Sequence, residues 1–368
     1  MSILCYFGKP FTSKPIRCFL GLILAHKAVF TIFLFLLPLL FPTLSLTQGN
    51  LRQRLSAWDI EHYLNIAAHG YEIGSKRCTF YPLWPACIRV GSWLTGGNAI
   101  LSAWLLSNLF SLVGLLLFHQ MVLENHGLPI ANRATLLLLV YPSSMFFFVP
   151  YSESLFLLLI MICLLCFQRG LFGRSAVAAF LLPLTRAIGI FILPVLLWEL
   201  FSKRASWKQY GMCFAPVLGY LGYFGIMYYY TGNAFEGFTA QRQYPAQPSV
   251  GKIFDVSRAF HSFVDFSWSH DYLHSFIDRV VFVFFLISLY WIFKLRTGYY
   301  VYAFFAGLIP AMSNVFMSFT RFSALVFPLF IVWAQFARKT RTLPFLLMLF
   351  FGLQLLFLLL FISDRWAG

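Results

Sequence analysis

The chain has 368 residues, of which 60% are apolar, 20% aromatic and only 11% charged, with a mean hydropathy of +0.77. A soluble globular protein carries roughly 25% charged residues and 45–50% apolar ones, and a soluble chain of 42.4 kDa has no way to hide this much apolar surface from water. A soluble enzyme, a disordered tail and a nucleic-acid-binding domain are excluded, and the excess runs along the whole chain, as in an all-α, polytopic integral membrane protein.

A hydrocarbon core of about 30 Å takes roughly 20 apolar residues per helix. The first candidate runs from about 18 to 41, behind Lys9, Lys14 and Arg17. It is too long for a signal-peptide core and lacks a small-residue cleavage site, so it reads as a retained signal anchor. Further candidates are about 100–121, 132–149, 152–168, 211–230, 276–294, 299–316, 322–337 and 343–362. The stretch 175–199 is either one span or two short half-helices folded back at Leu184-Thr185-Arg186-Ala187.

Charge placement chooses between these. The 27 Lys+Arg outnumber the 12 Asp+Glu, and in a membrane protein their positions matter more than the formal sum of +15. With a hairpin, Lys9, Lys14, Arg17, Arg133, Arg169, Arg174, Lys203, Arg204, Lys208, Lys294, Arg296, Arg338, Lys339 and Arg341 collect on the side of the N-terminus. The other side then holds two long loops, about 42–98 and 231–275, and ten of the twelve carboxylates. A single span would put every basic cluster after Lys203 on the wrong side. The expectation is therefore eleven hydrophobic segments with a broken hairpin at 175–199, the N-terminus cytoplasmic and the C-terminus outside. Pro183 and Pro194 suit broken helices that line a polar cavity. No repeat or linker divides the chain, so residues 1–368 read as a single domain.

In the first outer loop, Ile60, Tyr63, Leu64, Ile66 and Ala67 follow helical spacing and Gly70 suits a C-cap. This predicts an amphipathic helix at the membrane interface, with Trp58, Tyr63 and Tyr71 as interfacial aromatics. Asp59, Glu61 and His62 are the densest titratable cluster in the chain. They suit a solvated helix N-terminus, where the dipole favours acids. They equally suit a catalytic group, since a carboxylate desolvated beside Trp58 gains basicity and serves as a general base.

Glu153, in Pro150-Tyr151-Ser152-Glu153-Ser154, lies between two apolar segments, either as a first-turn residue or in the same pocket as Asp59. Arg186 at the centre of the hairpin and Arg321 before a later span either snorkel or grip an anion such as a lipid phosphate. Gln241 and Arg242 are further polar candidates in the second loop. His261, His270 and His274 share that loop with Asp265 and Asp271, but their spacing matches no metal motif. His26 and His119 read as interfacial. Cys78 and Cys87 lie in one polar loop, where a pairing is open.

The block Trp58-Asp59-Ile60-Glu61-His62-Tyr63-Leu64-Asn65-Ile66-Ala67-Ala68-His69-Gly70-Tyr71, followed by Phe80-Tyr81-Pro82-Leu83-Trp84-Pro85, resembles the first luminal loop of PIG-V-type mannosyltransferases. These are the GPI mannosyltransferase 2 family and its bacterial relatives, within the GT-C membrane glycosyltransferases. Tyr141-Pro142-Ser143-Ser144 through Pro150-Tyr151-Ser152-Glu153-Ser154 fits the same pattern. So do Leu184-Thr185-Arg186-Ala187-Ile188-Gly189 through Leu193-Pro194, and Arg321-Phe322 with Phe327-Pro328. The matches run in family order from about 57 to 330; the family's usual arginine before Trp-Asp is Ala57 here.

The resemblance implies a GT-C-like enzyme that moves mannose or a related hexose from a polyprenyl or dolichyl phosphate sugar to a lipid- or glycan-linked acceptor hydroxyl. The site would face the lumen of the ER, or the outside of a bacterial plasma membrane. Asp59 falls on the family's catalytic aspartate. A lipid phosphate leaves as an anion, so one base suffices, unlike a glycosidase with its paired acid and base. Asp59 would then be the base of a single inverting displacement, with Arg186 and Arg321 on the phosphate. Glu61, His62, Tyr81, Tyr151, Glu153, Gln241 and Arg242 complete the substrate-binding set. No cofactor is called for, and a divalent metal is left open. A transporter or lipid flippase, whose paired broken segments in related halves are not seen here, and a catalytically silent subunit are the rival readings.

Overall fold

The structure, a computed structural model, describes residues 14–40, 55–202, 206–245, 247–313, 315–338 and 341–368. Lys9, Lys203, Arg204, Lys339 and the first part of the long loop (42–54) lie outside the described residues. Among the described residues the regular structure is all helical, with one isolated bridge between Ser267 and Ser275. Five helices among the described residues are long and apolar enough to cross a membrane: Arg17–Leu36, Ala99–His126, Trp207–Thr231, Phe276–Leu295 and Thr342–Ile362. Shorter apolar helices fill the bundle between them, and the molecule is an all-α polytopic membrane protein.

The chain starts with α1 (Lys14–Leu40), then α2 (Asp59–His69), α3 (Leu83–Leu94), α4 (Ala99–His126) and α5 (Leu128–Val140). α6 (Glu153–Gln168), α7 (Phe172–Thr185), α8 (Ile192–Ser202), α9 (Trp207–Cys213) and α10 (Ala215–Thr231) follow. The second long loop folds as α11 (Glu236–Ala240) and α12 (Val256–Val264). The remainder is α13 (Phe276–Leu295), α14 (Thr297–Ala303), α15 (Ile309–Ser313), α16 (Phe319–Ser323), α17 (Pro328–Phe336) and α18 (Thr342–Ile362).

Side-chain pairs distinguish the two ends of the bundle. At one end Phe19 meets His119 at 4.4 Å, Arg169 meets Glu124 at 2.6 Å and Arg296 meets Glu199 at 2.7 Å. At the other, Glu153 at the start of α6 meets Arg186 at 2.6 Å. α7 leaves the first end, where Phe172 packs on Phe167 at 5.4 Å, and reaches the second at Arg186. Glu199 of α8 is back at the first end, so α7 and α8 run in opposite directions. The break falls on Arg186, whose backbone is extended (φ −157°, ψ 149°). Pro183 sits inside α7 and Pro194 in the first turn of α8, where a missing N–H costs no helix bond.

The stretch 132–149 departs from the single expected span. α5 stops at Val140 because Pro142 turns Tyr141 out of helical geometry (ψ 140°), and residues Pro142–Phe147 form a buried 3-10 turn. Irregular backbone inside a membrane protein needs partners for its carbonyls. α4 supplies them: Ser111 donates to the Phe147 carbonyl (2.7 Å), Asn108 to that of Phe148 (3.0 Å) and Ser107 to that of Val149 (2.7 Å). The expected span 299–316 is likewise interrupted, by a π-helical turn at Phe304–Leu308. Residues 322–337 divide into α16 and α17, the latter opening on Pro328 at a favoured first-turn position.

The helix expected in the first outer loop is α2, and it buries the expected face: Ile60, Tyr63, Leu64, Ile66 and Ala67. It ends at Gly70, whose φ of +81° only glycine adopts without strain, and whose missing Cβ admits the Tyr230 ring. Tyr63 and Tyr71 are not interfacial aromatics. Both are buried in protein, Tyr63 edge-on to Phe80 and Tyr71 edge-on to Tyr230 with its hydroxyl donated to the Phe80 carbonyl. The apolar face of α2 therefore covers the bundle, not lipid. His119 is also buried, bonded to Asn132 at 2.9 Å, and His26 is bonded to Gln354 of α18 at 3.0 Å.

Candidate active site

Asp59 opens α2, and Trp58 before it holds φ 58° and ψ −121°. That conformation is an outlier for a bulky residue and costs about 1–3 kcal/mol, strain of a kind that concentrates at functional sites. Directly after it, the Asp59 Oδ2 accepts from Arg321 Nη1 at 2.8 Å. Arg321 Nε donates to Glu153 Oε1, the same oxygen that accepts from Arg186 Nη1 at 2.6 Å. Two carboxylates and two guanidiniums thus form one continuous chain, Asp59–Arg321–Glu153–Arg186.

Burial grades that chain. The Glu153 side chain is 1% exposed, Arg321 9% and Arg186 11%, whereas Asp59 is 28% exposed. Buried ions of opposite sign survive only when paired and hydrogen-bonded, and these are well supported. Arg321 lies over the rings of Tyr151 (4.5 Å) and Phe146 (4.8 Å), and Arg186 over Phe322 (5.5 Å). Arg186 also donates to Ser152 Oγ at 3.0 Å, and that hydroxyl lies 3.2 Å from the Tyr63 hydroxyl. Asp59 is the member of the chain that meets solvent.

Asp278, in the first turn of α13, holds the segment that carries Arg321. Its Oδ1 accepts from the Thr320 backbone N–H at 2.7 Å and from the Thr320 hydroxyl. Trp58, Asp59, Tyr151 and Arg321 line a small cleft whose far wall includes Phe361 and Trp366. Trp366 meets Trp58 edge-on at 5.2 Å and Tyr272 at 4.4 Å.

The other sequence candidates distribute unevenly. His62 is half-buried on α2 with its ring 5.0 Å from Phe80. Burial pushes its pKa below the usual 6.5, and the Asp59 charge offsets part of that shift. Glu61 is exposed on α2. Tyr81 is buried away from the ion chain in an aromatic cluster, stacked on Tyr223 at 4.7 Å with its hydroxyl 3.0 Å from that of Tyr220. Gln241 and Arg242 sit on a 3-10 turn after α11 and take no part in the ion chain. His261, His270 and His274 do not converge: His270 bonds Ser275 at 2.7 Å and stacks on Phe357, while His274 faces Asp265 at 3.4 Å. Among the described residues no group of three His, Cys, Asp or Glu side chains is arranged to hold a metal ion. Cys78 and Cys87 are both free thiols.

Sequence reasoning missed Tyr63, Phe146, Asp278 and Trp366 as parts of the site. Asp278 carried a usable signal, as a carboxylate inside an apolar span. Phe146 carried none, being one aromatic in an apolar run.

With this geometry in hand, comparisons with known proteins add a likeness over part of the chain. Residues 34–203 match the family model described as Mannosyltransferase (PIG-V). Over 126 residues, covering 32% of this chain, it is 32% identical to GPI alpha-1,6-mannosyltransferase 2 of Rattus norvegicus and to that of Mus musculus. The protein of that name from Cricetulus griseus is 31% identical over the same length. The matched segment spans only 25% of the length of each relative. Asp59, Glu153 and Arg186 fall inside residues 34–203, and Arg321 reaches them from outside that match.

Proposed function

We propose, taking the match of residues 34–203 to the PIG-V mannosyltransferases as premise, that this chain transfers mannose from a polyprenyl phosphate mannose donor to a lipid- or glycan-linked acceptor hydroxyl. The observation that carries the reading is the pairing of a solvent-facing Asp59 with Arg321, which is itself anchored by the buried Glu153.

The chemistry follows from which atoms are held. Arg321 fixes Oδ2 of Asp59, and Oδ1 keeps its lone pairs for a proton. The acceptor oxygen attacks the anomeric carbon and its proton passes to Asp59, while the bond from that carbon to the phosphate oxygen breaks and the phosphate departs with the electron pair. A single displacement of this kind inverts the anomeric centre. Arg186 and Arg321 are the cations closest to Asp59's carboxylate chain, suited to bind the departing phosphate through planar, paired N–H donors. Glu153 Oε2 is buried without a hydrogen-bond partner among the described residues. A buried acceptor in that state is paired in the working complex, and a sugar hydroxyl would satisfy it. Half-buried His62 and exposed Glu61 flank Asp59 on α2 for the acceptor side, and Tyr151 supplies an aromatic wall.

The sidedness belongs to the same reading. The end of the bundle carrying Arg169 and Arg296 would face the cytoplasm, and the Asp59 end the lumen or the outer face, following the excess of Lys and Arg. The donor's polyprenyl tail would lie between helices and gain affinity by apolar burial.

The test is transfer of radiolabelled mannose from polyprenyl phosphate mannose by the purified full chain in liposomes, with a lipid extract as acceptor. Label moving to the acceptor lipid, and not from a nucleotide sugar, supports the reading. Donor that neither binds nor reacts contradicts it.

A further inference from the structure

A second polar cavity lies outside the ion chain, in the loop between α10 and α13. Its volume is about 350 Å³, and Lys252, Arg258, Ser262, Asp265, His274 and Arg279 line it. Three cations share it with one carboxylate, and that carboxylate already faces His274 at 3.4 Å. Arg279 is 4% exposed and is spent as a staple: its Nη atoms donate to the carbonyls of Ser275 (3.1 Å), Ser262 (2.7 Å), Asp265 (3.2 Å) and Leu273 (2.8 Å). Its Nε and the Arg258 Nη2 are both buried without a hydrogen-bond partner among the described residues. Lys252 donates to the Gln247 carbonyl at 2.8 Å, which leaves two ammonium protons free. A buried guanidinium nitrogen left unpaired is costly, and it marks a place where an acceptor is missing.

Strain borders the same cavity. Val315, which lines it, has φ 58°, and Phe316 and Ser318 follow with φ 61° and 57°. Each costs about 1–3 kcal/mol, most for the β-branched Val315.

The opposite face of α12 identifies the kind of ligand. Val256, Phe260 and Val264 recur every fourth residue and all stand exposed, Phe260 by 62%. Phe254, Phe266 and Trp268, just outside the helix in sequence, are exposed as well. Arg258 and Ser262 lie two positions out of phase, on the cavity side. The bridge from Ser267 to Ser275 ties this loop to the first turn of α13, so α12 lies level with the start of a membrane-crossing helix. An amphipathic helix at that depth, apolar on one side and polar with Arg258 on the other, suits the headgroup layer.

We infer that this cavity binds the phosphate of a membrane lipid, held by Arg258 and Lys252, while α12 inserts Val256, Phe260 and Val264 beside its acyl chains. The site goes beyond the proposed transfer reaction and does not depend on it.

The test uses the full chain in phosphatidylcholine nanodiscs doped with phosphatidic acid, with retained lipid read by native mass spectrometry and affinity by titration. The native protein retains phosphatidic acid, and inorganic phosphate does not displace it. Arg258→Gln weakens retention at least about tenfold, the loss of one charge-assisted hydrogen bond, and Arg258→Lys restores part of it. Phe260→Asp, which touches no cation, weakens retention to a similar degree. Asp59→Asn leaves retention unchanged, so this inference and the transfer reading fail separately. Unchanged retention in Arg258→Gln combined with Lys252→Gln overturns the inference. Displacement by inorganic phosphate, with normal binding in Phe260→Asp, overturns the lipid as ligand in favour of a free anion. Thermal midpoints of Arg258→Lys and Phe260→Asp within a few degrees of the native protein show that folding is not the cause.

Discussion

Arg321 places Nη1 2.8 Å from Asp59 Oδ2 across 262 residues of sequence. With its Nε on Glu153, one guanidinium joins the solvent-facing carboxylate to the buried one. The bond holds one oxygen of Asp59, and on the proposed mechanism the other takes the acceptor proton, so Arg321 is expected to matter to turnover more than to binding alone. Arg321→Gln should lower turnover by about 10²–10³-fold, the scale seen when one charged stabiliser of a transition state is removed. Arg321→Lys should recover only a small part, since an ammonium cannot hold two carboxylates in fork geometry. The check is labelled-mannose transfer measured under single-turnover conditions.

Glu153 is ion-paired to two guanidiniums at once and is almost fully buried. Glu153→Gln strands Arg186 and leaves Arg321 with Asp59 alone, and breaking a buried ion pair in this way costs about 3–5 kcal/mol. A clear drop in the thermal midpoint in detergent is expected. Adding Arg186→Gln should return part of the loss, because the remaining Arg321 then keeps Asp59 as its counter-ion. Additive losses in that double variant would show that the two groups are not coupled.

Much of this local structure was legible in the sequence. The apolar spacing from Ile60 to Ala67 and the stop at Gly70 fix α2, and Pro183 with the charge distribution fixes the break near Arg186. What periodicity cannot see is which face meets which neighbour. Tyr63 and Tyr71 have the composition of interfacial aromatics, yet protein rather than lipid covers them. Tyr141 looked like the middle of a span, because the hydroxyls and amide of Ser107, Asn108 and Ser111 that satisfy the broken backbone lie on another helix. The Arg321 partnership with Asp59 is a tertiary fact, and a buried and a part-exposed group so distant in sequence carry no local sign of it.

Gly70 offers a test of the α2 terminus. An added Cβ would lie 2.4 Å from the Tyr230 ring, at a backbone φ of +81°. Gly70→Ala should therefore lower stability by more than the roughly 1 kcal/mol expected for the backbone alone. Gly74 has a similar φ of +74° with open space around it, so Gly74→Ala should cost only that backbone part. Equal midpoints for the two variants would contradict the packing described here.

His62 gives a pH signature. Its pKa in the folded chain lies below the ordinary 6.5 because burial disfavours the imidazolium. Between those two values the unfolded chain binds a proton that the folded chain does not, so stability falls as pH drops through 6.5 and levels off below the folded pKa. Above 6.5 His62 adds no slope. His62→Gln should flatten its share of the acid-side decline in the thermal midpoint, measured from pH 7.5 down to about 5. An identical decline in the variant would place the titrating group elsewhere.

Asp278 is expected to act through Thr320 as a positioning residue. Asp278→Asn keeps its shape but weakens the grip on the Thr320 N–H and hydroxyl, so turnover should fall about tenfold or more while donor affinity changes little. A fall in affinity with turnover intact would assign Asp278 a merely structural part.

The central claim is that Asp59 is the base of a mannosyl transfer, and the most direct measurement is native chain against Asp59→Asn in the same liposomes. Donor binding and loss of label from polyprenyl phosphate mannose are read together. The expected result is donor binding within a few-fold of native and turnover lower by about 10³-fold or more, the size of a lost general base. Native-like turnover in Asp59→Asn, with the donor bound, would contradict the account.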